Sequence, residues 1–242
     1  MRRTWTIVGD GVRVTHAVRY TTASTLIVDG TSALLVDPAL EPDELAALAA
    51  DVRDLGVSVA GGVSTHAHWD HLLWPAGLPS APRWVSEPAA AAVDQHRAEL
   101  TGGLGPLQQA LAPGFAEVTP VRGAVTGTVV PVPWPGPEAL LVVHDGHSRG
   151  HAAVWLPASA VLLAGDMLSD VEPPLPESPE HLAEYDAGLE LLRPFVELAR
   201  VLVPGHGSPT DRPMDRWITD RRYLDDLLAG RTPKDARVPP ED

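Results

Sequence analysis

Apolar positions recur along this chain with two different periods. Between residues 25 and 40 they form short aliphatic and β-branched stretches, TLIVDG and then ALLVDPAL, separated by Gly30, Thr31 and Ser32. That pattern predicts consecutive antiparallel strands joined by a short turn. From residue 41 the period lengthens: in EPDELAALAADVRDLG, Leu45, Leu48, Val52 and Leu55 stand three or four residues apart, with Pro42 near the first turn and Gly56 just past the end. An amphipathic helix is expected there. VSVAGGVST then reads as a strand that delivers the chain into His66. The same order returns late in the chain, with SPEHLAEYDAGLELLRPFVELA as helix, RVLVP as strand, then GHG with His206.

Between these units, residues 101–140 are rich in glycine and proline, which predicts a hairpin or helical excursion over one face. Strands resume at ALLVVHDG, AAVWL and AVLLAGD, the last two separated by the turn PAS. DRPMDRWITDRRYLDDLLAG reads as a surface helix followed by a polar tail. Mixed strands and helices in this order predict sheets packed inside and helices outside.

Composition narrows the function. At 242 residues, one domain spanning 1–242 is expected, and no apolar run approaches the length of a membrane span. MRRTWTIVGDGVRVTH carries two arginines but no apolar segment behind them, so a cytoplasmic location is expected. Cysteine is absent, so a metal must use nitrogen and oxygen donors. A formal net charge of −14 disfavours nucleic acid as partner and leaves a small-molecule substrate as the expectation, with no membrane partner.

Residues 64–71, STHAHWDH, hold the candidate chemistry: His66, His68, Asp70 and His71 form His-X-His-X-Asp-His on the loop leaving a strand. Two histidines one residue apart can turn their rings to one side of a loop, while the following pair projects to a neighbouring point, which suits two metal ions. Other strand ends offer further donors: His144, His147 and His151 in VVHDGHSRGH, Asp166 in LLAGD, and His206 in LVPGHG. Of the three in the first group, His144 reads as a strand residue, His151 as a residue behind the ligand shell, and His147 at the turn as the ligand. His16, His96 and His181 lack companions and are expected to be exposed. Trp69, Trp74 and Trp84 surround the motif, with a structural role as the first expectation.

In order and spacing, THAHWDH, DGHSRGH, AGDM and PGHG resemble the ligand motifs of the metallo-β-lactamase fold superfamily of hydrolases, over nearly the whole chain. The resemblance implies an α/β (α+β) fold class, a four-layer αββα sandwich of two mixed sheets between helices. It implies that His66, His68 and His147 hold one metal and Asp70, His71 and His206 a second, with Asp166 bridging. The antibiotic-degrading members put cysteine or serine near that bridging position and are exported, so the chain looks more like the glyoxalase II and lactonase side. It lacks the lactonases' tyrosine after the bridging aspartate and an evident basic C-terminal region for glutathione.

The expected cofactors are two divalent ions, zinc by preference, with iron or manganese as alternatives. The expected reaction is hydrolysis of a small ester, thioester or lactone, with Asp70 as the catalytic residue that orients the nucleophile. Rival readings are a small-molecule phosphodiesterase on the same site, a β-lactamase-like amide hydrolase, a mononuclear iron dioxygenase, and a silent metal-binding module. A serine hydrolase fits poorly because no Gly-X-Ser-X-Gly sequence occurs.

Overall fold

Strand alternation sorts this chain into layers. In the computed structural model, which describes residues 4–38, 41–102 and 104–238, seven strands form one sheet in sequence order. They are β1 (Thr6–Gly9), β2 (Val12–His16), β3 (Ala23–Asp29), β4 (Ser32–Val36), β5 (Ser58–Val63), β6 (Arg83–Val85) and β7 (Thr119–Pro120). The first four pair antiparallel and the last four parallel. The second sheet runs β12-β11-β10-β9-β8, from β8 (Val129–Pro131), β9 (Leu140–Val143), β10 (Ala152–Leu156), β11 (Val161–Gly165) and β12 (Val201–Pro204). Only its β11–β12 pair is parallel.

Successive side chains leave opposite faces of a strand, so each strand feeds two cores. Leu34 and Val36 of β4 point inward and meet Leu141 and Val143 of β9, Val154 and Leu163 in the layer between the sheets. Their neighbours Ala33 and Leu35 face out and pack under Leu45, Leu48 and Val52 of helix α1 (Pro42–Asp54). After α1 come α2 (Glu87–Thr101) and the short α3 (Leu107–Ala110), then α4 (Leu182–Leu198) and α5 (Pro213–Leu228). On the far side of the second sheet, Val142, Trp155, Leu162 and Leu202 are covered by Tyr185, Leu189 and Leu192 of α4 together with Trp217 and Leu224 of α5. The result is helix, sheet, sheet, helix: a mixed αββα sandwich.

Two expectations shift. Leu55 follows the helical period but lies past the last turn of α1 as its C-cap, 37% exposed, so the apolar stripe ends at Val52. The 101–140 excursion contains α3, β7 and β8, so it extends both sheets as well as covering a face. Residues 39–40, at the end of ALLVDPAL, and the final PPED lie outside the described residues. No helix among the described residues is long and apolar enough to cross a membrane.

Candidate metal centre

The ends of β4, β5, β9, β11 and β12 meet at one edge of the sandwich. β5 leads into His66, β11 into Asp166 and β12, through Pro204 and Gly205, into His206. His147 stands on the loop between β9 and β10. The donors fall into two groups: His66, His68, His147 and Asp166, and Asp70, His71 and His206. Within each group the donor atoms lie within 4.8 Å of one another. Asp166 also reaches the second group, its Oδ2 being 3.4 Å from His66 Nε2, 3.6 Å from His147 Nε2 and 3.2 Å from His206 Nε2.

Backbone closeness makes this possible. A Cβ on Gly205 would fall 2.1 Å from Asp166 Oδ1. Gly165 has φ +57°, in the left-handed region, and a Cβ there would fall 2.4 Å from His151 Nε2.

Each ring is turned by a partner on its outer nitrogen, and that partner fixes which nitrogen faces the cluster. His147 Nδ1 donates to the Leu175 carbonyl at 2.8 Å, and His206 Nδ1 to the Tyr20 carbonyl at 2.9 Å. The Thr65 hydroxyl donates to Asp37 Oδ2 at 2.8 Å and therefore accepts from His66 Nδ1 at 3.0 Å. His71 Nδ1 lies 3.0 Å from Asp37 Oδ2, though not aligned as a hydrogen bond. These contacts aim Nε2 of all four rings inward. His68 is reversed: its Nδ1 faces His66 Nε2 at 2.9 Å and His147 Nε2 at 3.1 Å.

Burial and charge divide the two groups. Burial holds His66 well below the ordinary histidine pKa, lowers His68, and takes His147 down to about 4, so these rings are neutral in the folded chain. Burial also opposes charge on His71, but Asp166, Asp70 and Asp37 outweigh it and hold its pKa well above the ordinary value. His206 is likewise disfavoured by burial and raised by its contact with Asp166. Asp166 itself, though burial pushes its carboxyl up, is held well below the usual range by His71 and His66.

The donor set fits metal ions. Ligand nitrogens roughly 2 Å from a tetrahedral ion sit about 3.3 Å apart, and here His71 Nε2 and His206 Nε2 are 3.4 Å apart, with Asp166 Oδ1 3.2 Å from His71 Nε2. Asp166 Oδ1 is fully buried with no hydrogen-bond partner, an acceptor that a cation would satisfy. Imidazole and carboxylate without thiolate suit zinc, iron or manganese.

Behind the donors, His151 Nε2 accepts the Asp166 backbone N–H at 3.1 Å, and its ring stacks on His66. His144 lies just past β9, buried, with Nε2 3.3 Å from His151 Nδ1; burial lowers it to about 4. It does not join either donor group. Trp74 and Trp84 are buried in the cores, whereas Trp69 is partly exposed and lines a cleft. His96 and His181 are exposed, but His16, the last residue of β2 and paired with Ala23 of β3 inside the sheet, is half-buried.

Two supports escaped the sequence reading. Asp37, 3% exposed at the end of β4, accepts from the Thr65 N–H at 2.9 Å and hydroxyl while flanking His71; it sits at a strand end like the donors, which is the signal that could have found it. The other is a clasp from the C-terminal segment. Arg237 donates to the carbonyls of Ser169 (2.8 Å) and Glu172 (3.1 Å) and to Asp220 Oδ1 (2.6 Å). Asp220 Oδ2 accepts the N–H of Leu168, whose φ is +61°, and Ser169 Oγ donates to the His206 carbonyl at 2.7 Å. Burial raises the Asp220 carboxyl to about 6 against the pull of Arg237, so it is ionised at neutral pH. The loop after Asp166 is thereby tied both to the loop bearing His206 and to the chain's C-terminal segment.

Histidines and aspartates gathered in two groups at the strand-end edge of an αββα sandwich define a class of metal-site proteins. The chain belongs to the metallo-beta-lactamase superfamily, whose family model matches residues 18–219. Among solved structures, a metallo-beta-lactamase family protein from Thermus thermophilus is 23% identical, with 92% of this chain and 82% of that one covered at a TM-score of 0.65. The metallo-beta-lactamase FIM-1 from Pseudomonas aeruginosa, in its mono-zinc form, is 18% identical over 94% of this chain and 96% of that one, TM-score 0.66. A stereoselective inverting sec-alkylsulfatase from Pseudomonas sp. is 15% identical, covering 94% of this chain but 42% of that one, TM-score 0.68. Likeness at these identities carries the fold alone.

Proposed function

We propose that the protein is a metal-dependent hydrolase that uses two divalent ions, zinc by its donor set, to cleave a small carboxylic ester, thioester or lactone. The observation that carries this is the position of Asp166, whose Oδ2 lies 3.2 to 3.6 Å from rings of both donor groups. His66, His68 and His147 would hold one ion, Asp70, His71 and His206 the other, with Asp166 between. Bound there, divalent ions acidify water and polarise a carbonyl, which is the chemistry hydrolysis needs.

The chain's own residues orient and relay. Leu175 and Tyr20 carbonyls, Thr65 and Asp37 hold the rings so that their inner nitrogens face the cluster. Asp70 has the more exposed of the two carboxylates, its side chain 12% open against 6% for Asp166. It is the group placed to take a proton from the attacking water and return it to the leaving group. No covalent intermediate on the protein is required.

The ester, thioester and lactone class is supported by aspartate at 166, the position that sets the chain apart from the antibiotic-degrading members, and by the −14 charge, which repels polyanions. The test is a panel of acyl-lactones, acyl-thioesters, bis-p-nitrophenyl phosphate and a chromogenic cephalosporin, with metal-loaded protein and Asp166→Ala as blank. Highest kcat/KM is expected on a carboxylic ester, thioester or lactone. Highest kcat/KM on the phosphodiester overturns the substrate class.

A further inference from the structure

Beside the donor cluster lies a cleft of about 630 Å³ that opens on His68, between α2 and the chain entering α4. Small residues, Ala67, Ala91 and Ala92, give it room. Its polar wall is unbalanced: Glu99, Asp145, Glu177 and Glu184 face a single guanidinium, Arg149. Asp145 is committed to the Thr126 hydroxyl and the Gly150 N–H, and Glu99 to His96. Glu177 and Glu184 are exposed and have no hydrogen bond or ion pair among the described residues, and Glu177 is near enough for its charge to reach the His68 ring.

A second observation marks the cleft as built for a ligand. Ser148, next to His147, lines it with only 6% exposure, and its Oγ is buried without a hydrogen-bond partner. Buried hydroxyls are rarely left unpaired, so a polar group from outside the chain is the missing partner. The neighbouring cleft, about 450 Å³ and sharing Glu99 and Leu100 with the first, has its charges already balanced. Trp69 and Leu104 stand on its wall beside polar groups, and its Arg19–Glu41 pair is already closed at 3.4 Å.

We infer that the substrate carries a cationic group, a protonated amine or quaternary ammonium, seated in the His68-side cleft against Glu177 and Glu184 with a polar atom on Ser148 Oγ. This deepens the hydrolase reading and rests on it for the word substrate. A carboxylate-bearing arm meets like charge in the first cleft and is rejected, because concave walls of one sign concentrate their potential.

The experiment uses three esters of one chain length: p-nitrophenyl 4-(trimethylammonio)butanoate, its neutral isostere p-nitrophenyl 5,5-dimethylhexanoate, and the mono-p-nitrophenyl ester of glutaric acid. Each kcat/KM is divided by the ester's rate in hydroxide, for metal-loaded wild type and for Glu177→Gln/Glu184→Gln. Two exposed carboxylates acting together support a cation-over-neutral ratio of about tenfold at low salt, shrinking as salt rises. The anionic ester is expected to rank last, and the ratio to fall near one in the double variant. Calorimetric binding of the two corresponding amides, cationic and neutral, separates the failures. If no ester turns over but the cationic amide still binds tighter and loses that advantage in the variant, charge selection stands and the hydrolase reading falls. If the esters turn over with equal normalised efficiency and the amides bind equally, charge selection is overturned and the hydrolase reading stands.

Discussion

The two donor groups use the same residue types and are prepared for a cation in opposite ways. In the His66–His68–His147 group, burial has already driven protons off the rings, and His147 titrates only at about 4. In the Asp70–His71–His206 group, Asp37, Asp70 and Asp166 crowd His71 and keep it protonated well above the ordinary range, and Asp166 raises His206. An ion entering the first group finds free lone pairs, whereas one entering the second must displace protons. The difference comes from carboxylate placement: Asp166 serves both groups, while Asp37 and Asp70 stand only at the second.

The most drastic way to erase the contrast is to remove what the groups share. Asp166→Ala is expected to empty both and lower kcat/KM by at least about a thousandfold, since stabilisation worth several kcal/mol goes with the metal. Elemental analysis after zinc incubation and dialysis is the check, and wild-type metal content would refute the shared role.

Breaking one side alone comes next. His147→Ala and His206→Ala are each expected to lower bound zinc from two ions to one, His147→Ala sparing the ion whose binding releases protons and His206→Ala removing it. Calorimetry in buffers of different ionisation enthalpy counts those protons, and equal proton release in both variants would dissolve the distinction.

The pH dependence sharpens it without mutation. A raised ring pKa means that protons compete as pH falls, and lowered ones mean that they do not until lower pH. Zinc affinity of the second group is therefore expected to weaken first, by tens of fold between pH 8 and pH 6, while the first group holds its ion. Zinc titrations at the two pH values read this directly, and parallel loss at both groups would contradict it.

The smallest effect is expected from the clasp. Arg237→Ala releases the Ser169 and Glu172 carbonyls and unpairs Asp220, loosening the loop tied to His206. Supports behind metal ligands typically govern affinity by about ten- to a hundredfold. A loss near tenfold is expected at the second group, with the first unchanged, and a competitive zinc chelator can rank the two.

What could be read from the chain followed how local the cause was. His66, His68, Asp70 and His71 fall within six positions after an aliphatic strand, and the remaining donors repeat that strand-end placement, so the seven residues picked from the sequence are the ones the fold brings into the two groups. α1 was legible from its period, but the period overran at Leu55 because three- and four-residue spacing does not mark where a cap ends the helix. Asp37 carried no signal in the sequence beyond its place at a strand end, since nothing nearby shows that β4 lies parallel to β5 and sets it beside His71. Arg237 was illegible for the same reason: its carbonyl partners are 65 and 68 residues away. Within 101–140, β7 and β8 are two and three residues long and exist only through pairing with distant strands, which no local pattern encodes. The His68-side cleft, too, is assembled from α2 and the approach to α4, segments with exposed and aperiodic polar residues.

The glycines beneath the cluster bear on how this protein can change over generations. Every codon change that replaces Gly205 or Gly165 places an atom into Asp166 or His151, so the ground under the ligands is a fitness cliff. The α2 wall of the cleft that opens on His68 is level terrain: Ala91 and Gln95 are exposed and belong to none of the apolar cores, and substitutions at such positions usually move stability by no more than about 0.5 kcal/mol. Selection for a new substrate would therefore leave its record along α2, in lineages whose ligand loops stay fixed.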